Sequence, residues 1–169
     1  MDDEGAYVLA FTNVTVIEAR KAITMRLVKG WNLICIPVQL ENMTVAEVFK
    51  DIENYYIAIY KWNPIMKWYE SVRKSDELEI GCGYWIYILN DVNLTITGIK
   101  VESLDIQLNA GWNLIGGISI TSELIADETV VIAAYKWNPI MKWYEKMEFI
   151  EVEVGKGFWI YALSETTIR

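Results

Sequence analysis

The sequence predicts a mainly β protein built from two tandem homologous modules, each a small antiparallel β-barrel or sandwich, with one short helix in the first. Three observations predict this fold. The eight tryptophans fall into four equivalent pairs, and the stretch YKWNPIMKWYE occurs twice without change. Runs rich in Val, Ile, Tyr, Trp and Thr are bounded by Gly, Pro, Asn and Asp, as strands usually are.

The repeated segments divide the chain into a first module at residues 1–100 and a second at residues 101–169. GWNLI, YKWNPIMKWYE and GYWIY begin at residues 30, 60 and 83 and return at residues 111, 135 and 157, the last as GFWIY. A module of this size buries only about 60 to 65% of its unfolded surface. Aromatic packing, a disulfide or contact between the repeats should therefore add stability.

Strands are predicted for most of the first module, at residues 23–28, 31–38, 55–62, 67–72, 78–80, 83–89 and 94–100. Residues 13–17 align with residues 93–97. The N-terminal segment is therefore predicted to be a tail strand that completes the first sheet, because an unpaired edge invites aggregation. Residues 164–169 align as a third, shorter tail.

One helix is predicted in the first module, where Thr44 and Glu47 match the pattern of a capping box. Its apolar face would consist of Val45, Val48, Phe49 and Ile52. The offset between the copies falls from 81 residues at GWNLI to 75 at YKWNP, so the second copy is shorter between residues 118 and 129. The equivalent helix should be shorter or lost there.

Composition excludes several classes of function. The net charge of −8 and the lack of a Lys/Arg cluster argue against nucleic acid and anionic membrane surfaces. No apolar run reaches the roughly 18 residues that span a bilayer. Histidine is absent, which removes His-based catalysis and the usual zinc ligands. We therefore expect a non-enzymatic protein without a metal or cofactor. Glutamine is scarce while Ile, Glu and Lys are abundant, a composition that is typical of heat-adapted proteins.

The two cysteines, Cys35 and Cys82, both lie in the first copy, and their counterparts are Gly116 and Lys156. Joint presence in one copy and joint absence from the other favour a disulfide, which would imply an oxidising or thermophilic setting. The alternative is two separate buried thiols, since spacing alone does not decide bonding.

Three N-x-S/T triplets begin at Asn13, Asn42 and Asn93, and these would carry glycans in an exported protein.

The duplicated hairpin supplies the candidate binding residues. They are Tyr60, Trp62, Ile65, Met66 and Trp68 in the first copy and Tyr135, Trp137, Ile140, Met141 and Trp143 in the second. Alternation along the arms favours a core role, and the competing interpretation is a Trp/Tyr platform for sugar rings, with Lys61, Lys67 and Glu70 bonding to hydroxyls. The tips are apolar where hairpin tips are usually polar. We expect them to fold back onto the neighbouring module, and the alternative is that they are exposed contacts for a partner.

Paired carboxylates precede the last repeated motif, Glu77 and Glu79 in the first copy and Glu151 and Glu153 in the second. Such pairs serve glycoside hydrolysis or calcium binding in other proteins. Their alternation with apolar residues is more typical of the solvated face of a strand.

The first copy contains GWNLICIPV, then Tyr60 with Trp62 and Trp68, and then GCGYWIY. In that order and spacing, these motifs resemble the GWNLI-type tandem repeat of S-layer-like and other secreted or envelope proteins of archaea and bacteria. The second copy has GWNLIGGIS and GKGFWIY at the matching places, with Ile118 where the first has Pro37. The resemblance covers nearly the whole chain and implies a β-rich extracellular module with no defined chemistry.

We therefore expect a non-enzymatic structural or adhesion module at the cell exterior or on a virion surface. Its partners would be other surface proteins or further copies of itself. A carbohydrate-binding module that uses the Trp/Tyr hairpins is the competing class, with glycans as its ligands. A carboxylate-based hydrolase is a third class, and it requires two acidic side chains about 5 to 10 Å apart across a cleft.

Overall fold

Each half of the chain forms a four-stranded antiparallel sheet from the segments that repeat in sequence. The computed structural model describes residues 19–119, 122–123, 128–147 and 151–169. The described strands of the first half are β1 (Arg20–Leu27), β2 (Gly30–Cys35), β3 (Val38–Gln39), β4 (Tyr56–Asn63), β5 (Trp68–Ser71), β6 (Gly83–Ile88) and β7 (Val92–Lys100). Those of the second are β8 (Ile106–Leu108), β9 (Gly111–Gly116), β10 (Ser122–Glu123), β11 (Val131–Asn138), β12 (Trp143–Lys146), β13 (Glu151–Val152), β14 (Gly157–Ala162) and β15 (Thr166–Ile168).

The two large sheets have the same strand order, β2–β6–β4–β5 in the first half and β9–β14–β11–β12 in the second. A smaller sheet accompanies each, β1–β7–β3 in the first half and β8–β15 in the second, and β10 pairs with β13. The prediction of a mainly β chain with two similar antiparallel modules is confirmed. Among the described strands the sheets remain separate, so the modules are sandwich-like and not closed barrels.

The core of the first module lies between its two sheets, because apolar residues alternate with polar ones along β1 and β7. Ile23, Met25 and Leu27 of β1 are buried, and so are Leu94 and Ile96 of β7. On the other side of this sheet, Thr24 and Thr95 face each other with their hydroxyl oxygens 2.8 Å apart. The period of two in the sequence therefore separates a buried face from a solvated one.

The predicted helix is present but short, with α1 spanning Val45–Val48 and a 3₁₀ turn spanning Lys50–Ile52. The predicted apolar face is buried, and it consists of Val45, Val48, Phe49 and Ile52. The capping-box prediction is wrong, because Thr44 makes no side-chain cap hydrogen bond. The Asn42 side-chain oxygen instead accepts a hydrogen bond from the Thr44 backbone N–H at 2.9 Å, and the Glu47 carboxylate pairs with Lys50 at 2.6 Å.

Two of the predictions fall on parts of the chain that the structure does not describe. The N-terminal tail strand at residues 13–17 lies outside the described residues. The shortened helix of the second copy would fall largely in segments 120–121 and 124–127, which lie outside them as well.

The GWNLI motif forms a tight turn that a buried asparagine closes. Gly30 has a φ of +101°, a region that favours glycine, and Gly111 repeats this value. The Asn32 side-chain oxygen accepts from the Val28 N–H at 3.0 Å, and its amide nitrogen donates to the carbonyls of Val28 at 2.7 Å and Gly30 at 3.0 Å. Asn113 makes the equivalent three hydrogen bonds in the second copy, at 2.9, 2.8 and 3.0 Å.

The two large sheets contact each other through reciprocal bonds. The Cys35 N–H donates to the Gly155 carbonyl at 3.2 Å, and its counterpart Gly116 donates to Gly81, the counterpart of Gly155, at 3.0 Å. Single β-bridges join Ile34 to Lys156 and Ile115 to Cys82 in the same reciprocal way. Reciprocity of this kind is the mark of a two-fold relation, so the modules are arranged about a pseudo-two-fold axis.

The predicted disulfide is not formed in the structure, where Cys35 and Cys82 are both free thiols. The Cys35 thiol is directed across the module interface and donates to the Gly117 carbonyl at 2.9 Å, whereas the Cys82 thiol lies 3.6 Å from the Gly83 carbonyl. A Cβ built on Gly116 would lie 2.0 Å from the Cys35 Cβ. Because these equivalent positions meet at the pseudo-two-fold axis, a side chain in one copy leaves room only for glycine in the other.

Candidate functional site

The hairpin between β4 and β5 has a four-residue loop that its own side chains hold in place. The last strand pair is Asn63 with Trp68. The Asn63 side-chain oxygen accepts hydrogen bonds from the backbone N–H groups of Ile65 at 3.1 Å and Met66 at 2.9 Å. Lys67 closes the loop with a φ of 57°, and its N–H donates to the Asn63 carbonyl at 2.8 Å. These bonds predispose the segment to one loop conformation.

The second hairpin reproduces the first. Its Asn138 side-chain oxygen accepts from Ile140 at 3.1 Å and Met141 at 2.9 Å, and Lys142 has a φ of 58°. Identical sequence thus gives the same local geometry in both modules.

The apolar tips of both hairpins are exposed, so the prediction that they fold back onto the neighbouring module is wrong. Ile65 is 74% exposed and Ile140 is 75% exposed, while Met66 and Met141 are 56% and 54% exposed. The loop extends beyond the last hydrogen-bonded pair of the sheet, so neither module covers it. The alternative interpretation, exposed contacts for a partner, agrees with this geometry.

The tryptophans in the first arm of each hairpin belong to the contact between the modules. The Trp62 indole N–H donates to the Trp112 carbonyl at 2.8 Å, and the Trp137 indole N–H donates to the Trp31 carbonyl at 2.9 Å. The Trp62 ring also packs edge-on against Trp159, with 5.3 Å between ring centroids. Tyr60 and Tyr135 are partly buried against the same interface cluster.

Trp68 and Trp143, in the second arms, are instead exposed at 54% and 53%. The Trp68 indole N–H lies 3.4 Å from the Glu70 carboxylate, which also accepts a 2.7 Å hydrogen bond from the Asn63 amide. Hydrogen bonds from Asn63 and Trp68 hold the pKa of Glu70 below its ordinary value. The Glu70 carboxylate is therefore fixed as a structural acceptor within the hairpin.

Two equivalent aromatic pockets open where the modules meet, and sequence reasoning did not identify them. The first aromatic pocket, of about 540 Å³, is lined by Trp31, Tyr60, Tyr69, Trp85, Trp137 and Tyr144. The second aromatic pocket, of about 490 Å³, is lined by the counterparts of these residues, Trp62, Tyr69, Trp112, Tyr135, Tyr144 and Trp159. Tyr69 and Tyr144 line both pockets and therefore form the wall between them.

The Trp85 ring stands nearly perpendicular to its aromatic neighbours around the first pocket. Trp85 meets Trp31 at an interplanar angle of 86°, Trp137 at 77° and Tyr144 at 83°. Trp159 meets Trp112 at 88° around the second pocket. Edge-to-face packing of this kind is a favourable arrangement of aromatic rings and holds the pocket walls in place. The duplicated tryptophans were the available signal in the sequence, but only the packing of one module on the other shows which rings meet.

The pockets are uncharged, and one polar group in them lacks a partner. Burial raises the pKa of Tyr69 and of Tyr144, so both hydroxyls stay protonated at neutral pH. Trp85 is only 7% exposed, and its indole N–H makes no hydrogen bond to any described residue. A buried donor without an acceptor costs free energy, and an acceptor on a bound ligand would offset that cost.

Three of the predicted acidic residues, Glu77, Glu79 and Glu153, lie on the surface. Glu77 and Glu79 are exposed on either side of buried Leu78, so the predicted solvated face is present, but the strand predicted at residues 78–80 does not form. Glu153 pairs with Lys136 at 3.5 Å. Within the described ranges no group of three or more Cys, Asp or Glu residues is placed to hold a metal ion.

Asn42 and Asn93 are exposed, as glycan acceptors must be, and Asn13 lies outside the described residues. No helix in the described part of the chain has the length and apolar character needed to cross a membrane.

Comparison of the chain with protein-family models, with curated proteins and with solved structures finds no match in any of the three.

Proposed function

We propose that the chain is a non-enzymatic structural or adhesion module of a cell or virion surface, and that its two exposed hairpin tips bind further copies of the same chain. The observation that carries this proposal is the exposure of Ile65 and Met66 and of their counterparts Ile140 and Met141. Exposed apolar patches mark interaction sites, because water contact with them is unfavourable and association removes it.

The identity of the two tips supports a binding role. All eleven residues from 60 to 70 return at 135 to 145, whereas the flanking segments differ between the copies. The core explains why Tyr60 and Trp62 recur, because their rings pack at the module interface. It does not explain why an exposed pair such as Ile65 and Met66 recurs unchanged. A shared contact surface accounts for that.

Charge favours another copy of the chain as the occupant. The chain carries a net charge of −8. Each tip loop, at residues 64–67 and 139–142, carries a lysine and no acidic residue. The nearest carboxylate in the first hairpin, Glu70, is already hydrogen-bonded to Asn63. A basic, apolar tip is thus complementary to the acidic surface of a neighbouring molecule.

Sedimentation velocity over a range of protein concentrations tests this proposal. The wild-type chain should associate as concentration rises, and the variant Ile65→Ser/Met66→Ser/Ile140→Ser/Met141→Ser should remain monomeric. The matched control is Ile57→Ser/Ile132→Ser, because this equivalent pair is also exposed and apolar but lies on β4 and β11 away from the tips. Wild-type protein that stays monomeric, or a control variant that dissociates like the tip variant, would contradict the proposal.

A carbohydrate-binding role for the hairpins is the second candidate function. It is supported by the exposed rings of Trp68 and Trp143, each with a carboxylate within 3.4 Å of its indole nitrogen. Titration with soluble polysaccharides, followed by tryptophan fluorescence, should then change the emission of the wild-type chain. The variant Trp68→Phe/Trp143→Phe should lose that response, and an unchanged response would remove this candidate.

A further inference from the structure

The hydrogen-bonding groups of the two aromatic pockets are mainly donors. The side chains that line them are tryptophans and tyrosines, without a carboxylate or an amide. Indole nitrogen only donates, and a phenol hydroxyl both donates and accepts. The backbone carbonyls of Trp31 and Trp112 already accept the indole N–H groups of Trp137 and Trp62. A ligand that fits these pockets offers hydrogen-bond acceptors and needs few acceptors from the protein.

The buried indole of Trp85 is one donor in the first pocket that needs a hydrogen-bond acceptor from a ligand. Its N–H has no hydrogen-bond partner among the described residues, although Trp85 lines the first pocket. Burial raises the pKa of Tyr69, and its hydroxyl interacts with this indole closely enough to lower that pKa in part, but the contact falls short of hydrogen-bond geometry. A carbonyl oxygen delivered into the pocket would satisfy the donor after a shift of the surrounding rings, because the indole nitrogen itself has almost no accessible surface.

We propose that the two aromatic pockets form a binding site for a proline-rich polypeptide segment in the polyproline II conformation. Proline has no backbone N–H, so such a segment presents carbonyl acceptors and apolar rings but few donors. Aromatic-lined grooves recognise this conformation, because the segment is already ordered before it binds. A sugar chain presents hydroxyl donors as well as acceptors, and the only side-chain acceptors in the pockets are the tyrosine hydroxyls.

The arrangement of the pockets suits an extended ligand. They share the wall formed by Tyr69 and Tyr144, so they are adjacent. A polyproline II helix repeats every three residues and rises about 9 Å per turn, so its rings recur along one side. One segment can therefore place a ring in each pocket while it crosses the shared wall.

Titration with capped decaproline, followed by the indole ¹⁵N–¹H resonances of the full chain, tests the proposal. The variant Trp85→Phe identifies the Trp85 resonance. Decaproline should shift this resonance in the wild-type chain, because its N–H gains a carbonyl acceptor. The Trp68 resonance should stay in place, since Trp68 lines neither pocket.

Variants of the shared wall give the second readout. Tyr69→Ala and Tyr144→Ala should each weaken decaproline binding about tenfold or more, because each change removes a ring from both pockets. Both rings are about half exposed, so the fold should tolerate either change. The Trp68→Phe variant should bind decaproline as the wild-type chain does.

Three results would overturn the proposal. The first is the absence of any shift of the Trp85 resonance at millimolar decaproline. The second is equal binding of a Gly-Ser peptide of the same length. The third is a shift with cellohexaose but not with decaproline, which would assign the pockets to a glycan.

Discussion

At the scale of single residues, the asparagine of GWNLI shows what a repeated motif does and does not reveal. The repetition of the motif was evident in the sequence, but the role of Asn32 was not. Its side chain makes three hydrogen bonds to the backbone of the turn, and it is buried. A buried amide with this many bonds is costly to remove, because its backbone partners lose both the bonds and access to water.

Replacing Asn32 with alanine should therefore lower the free energy of unfolding by about 1 to 3 kcal/mol. Chemical denaturation measures this quantity, and Asn113→Ala should give a similar loss because its bonds are equivalent. Asn93→Ala is the control, since Asn93 is exposed on β7 and should have little effect. A loss at Asn32 no larger than that at Asn93 would show that the turn does not depend on the amide.

The cysteines lead to a pH-dependent prediction. Burial raises the pKa of the Cys35 thiol to about 12 and that of Cys82 to about 11, from an unfolded value of 9.0. Above pH 9 the unfolded chain loses thiol protons that the folded chain keeps. The stability that the neutral thiols contribute is therefore complete below pH 9 and declines up to about pH 12. In denaturation from pH 7 to pH 11, the variant Cys35→Ala/Cys82→Ala should decline less than the wild-type chain, and equal declines would contradict this.

At the scale of elements, local pattern predicted most of the strands, although not the absence of one at residues 78–80, and it predicted the tips poorly. Alternating apolar residues marked β1 and β7 because one face of each packs on the core of the first module. The capping box was misassigned because Asn42, and not Glu47, supplies the oxygen that accepts from the Thr44 backbone N–H, while Glu47 pairs with Lys50. The tips were misplaced for a different reason. An apolar pair in a turn is compatible with burial or with exposure, and only the position of the neighbouring module decides between them.

The hairpin loop depends on Lys67 in the left-handed region, with a φ of 57°. The variant Lys67→Val should lower the free energy of unfolding by about 1 to 2 kcal/mol, because a β-branched side chain is strained in that region. Lys142→Val should do the same in the second hairpin, and Lys67→Gly should cost little or nothing. Thermal or chemical denaturation compares the three variants, and equal effects of valine and glycine would argue against the strained loop.

At the scale of the whole molecule, the sequence predicted two modules but not how they pack. Duplication shows that two similar units exist, whereas their relative orientation depends on which surfaces bury each other. The pseudo-two-fold relation appears only in reciprocal contacts, such as those of Trp62 with Trp112 and Trp137 with Trp31. For the same reason the two aromatic pockets were not predicted, since each takes rings from both modules.

The meeting of Cys35 with Gly116 provides a test of that packing. The variant Gly116→Ala should lower the free energy of unfolding by about 1 to 3 kcal/mol, because its Cβ would overlap that of Cys35. Adding Cys35→Gly should restore much of the loss by removing the opposing side chain. The two single variants and the double variant form a cycle that denaturation measures. Additive losses would mean that the two positions do not meet.

Because the two tips are identical, the sedimentation of single-tip variants tests most directly whether the tips bind further copies of the chain. Ile65→Ser/Met66→Ser leaves the second tip intact, and Ile140→Ser/Met141→Ser leaves the first. If the tips are equivalent contacts for further copies of the chain, both variants should still associate, less extensively than the wild-type chain and to the same extent as each other. Association equal to that of the wild-type chain in either variant would contradict the proposed role of the tips.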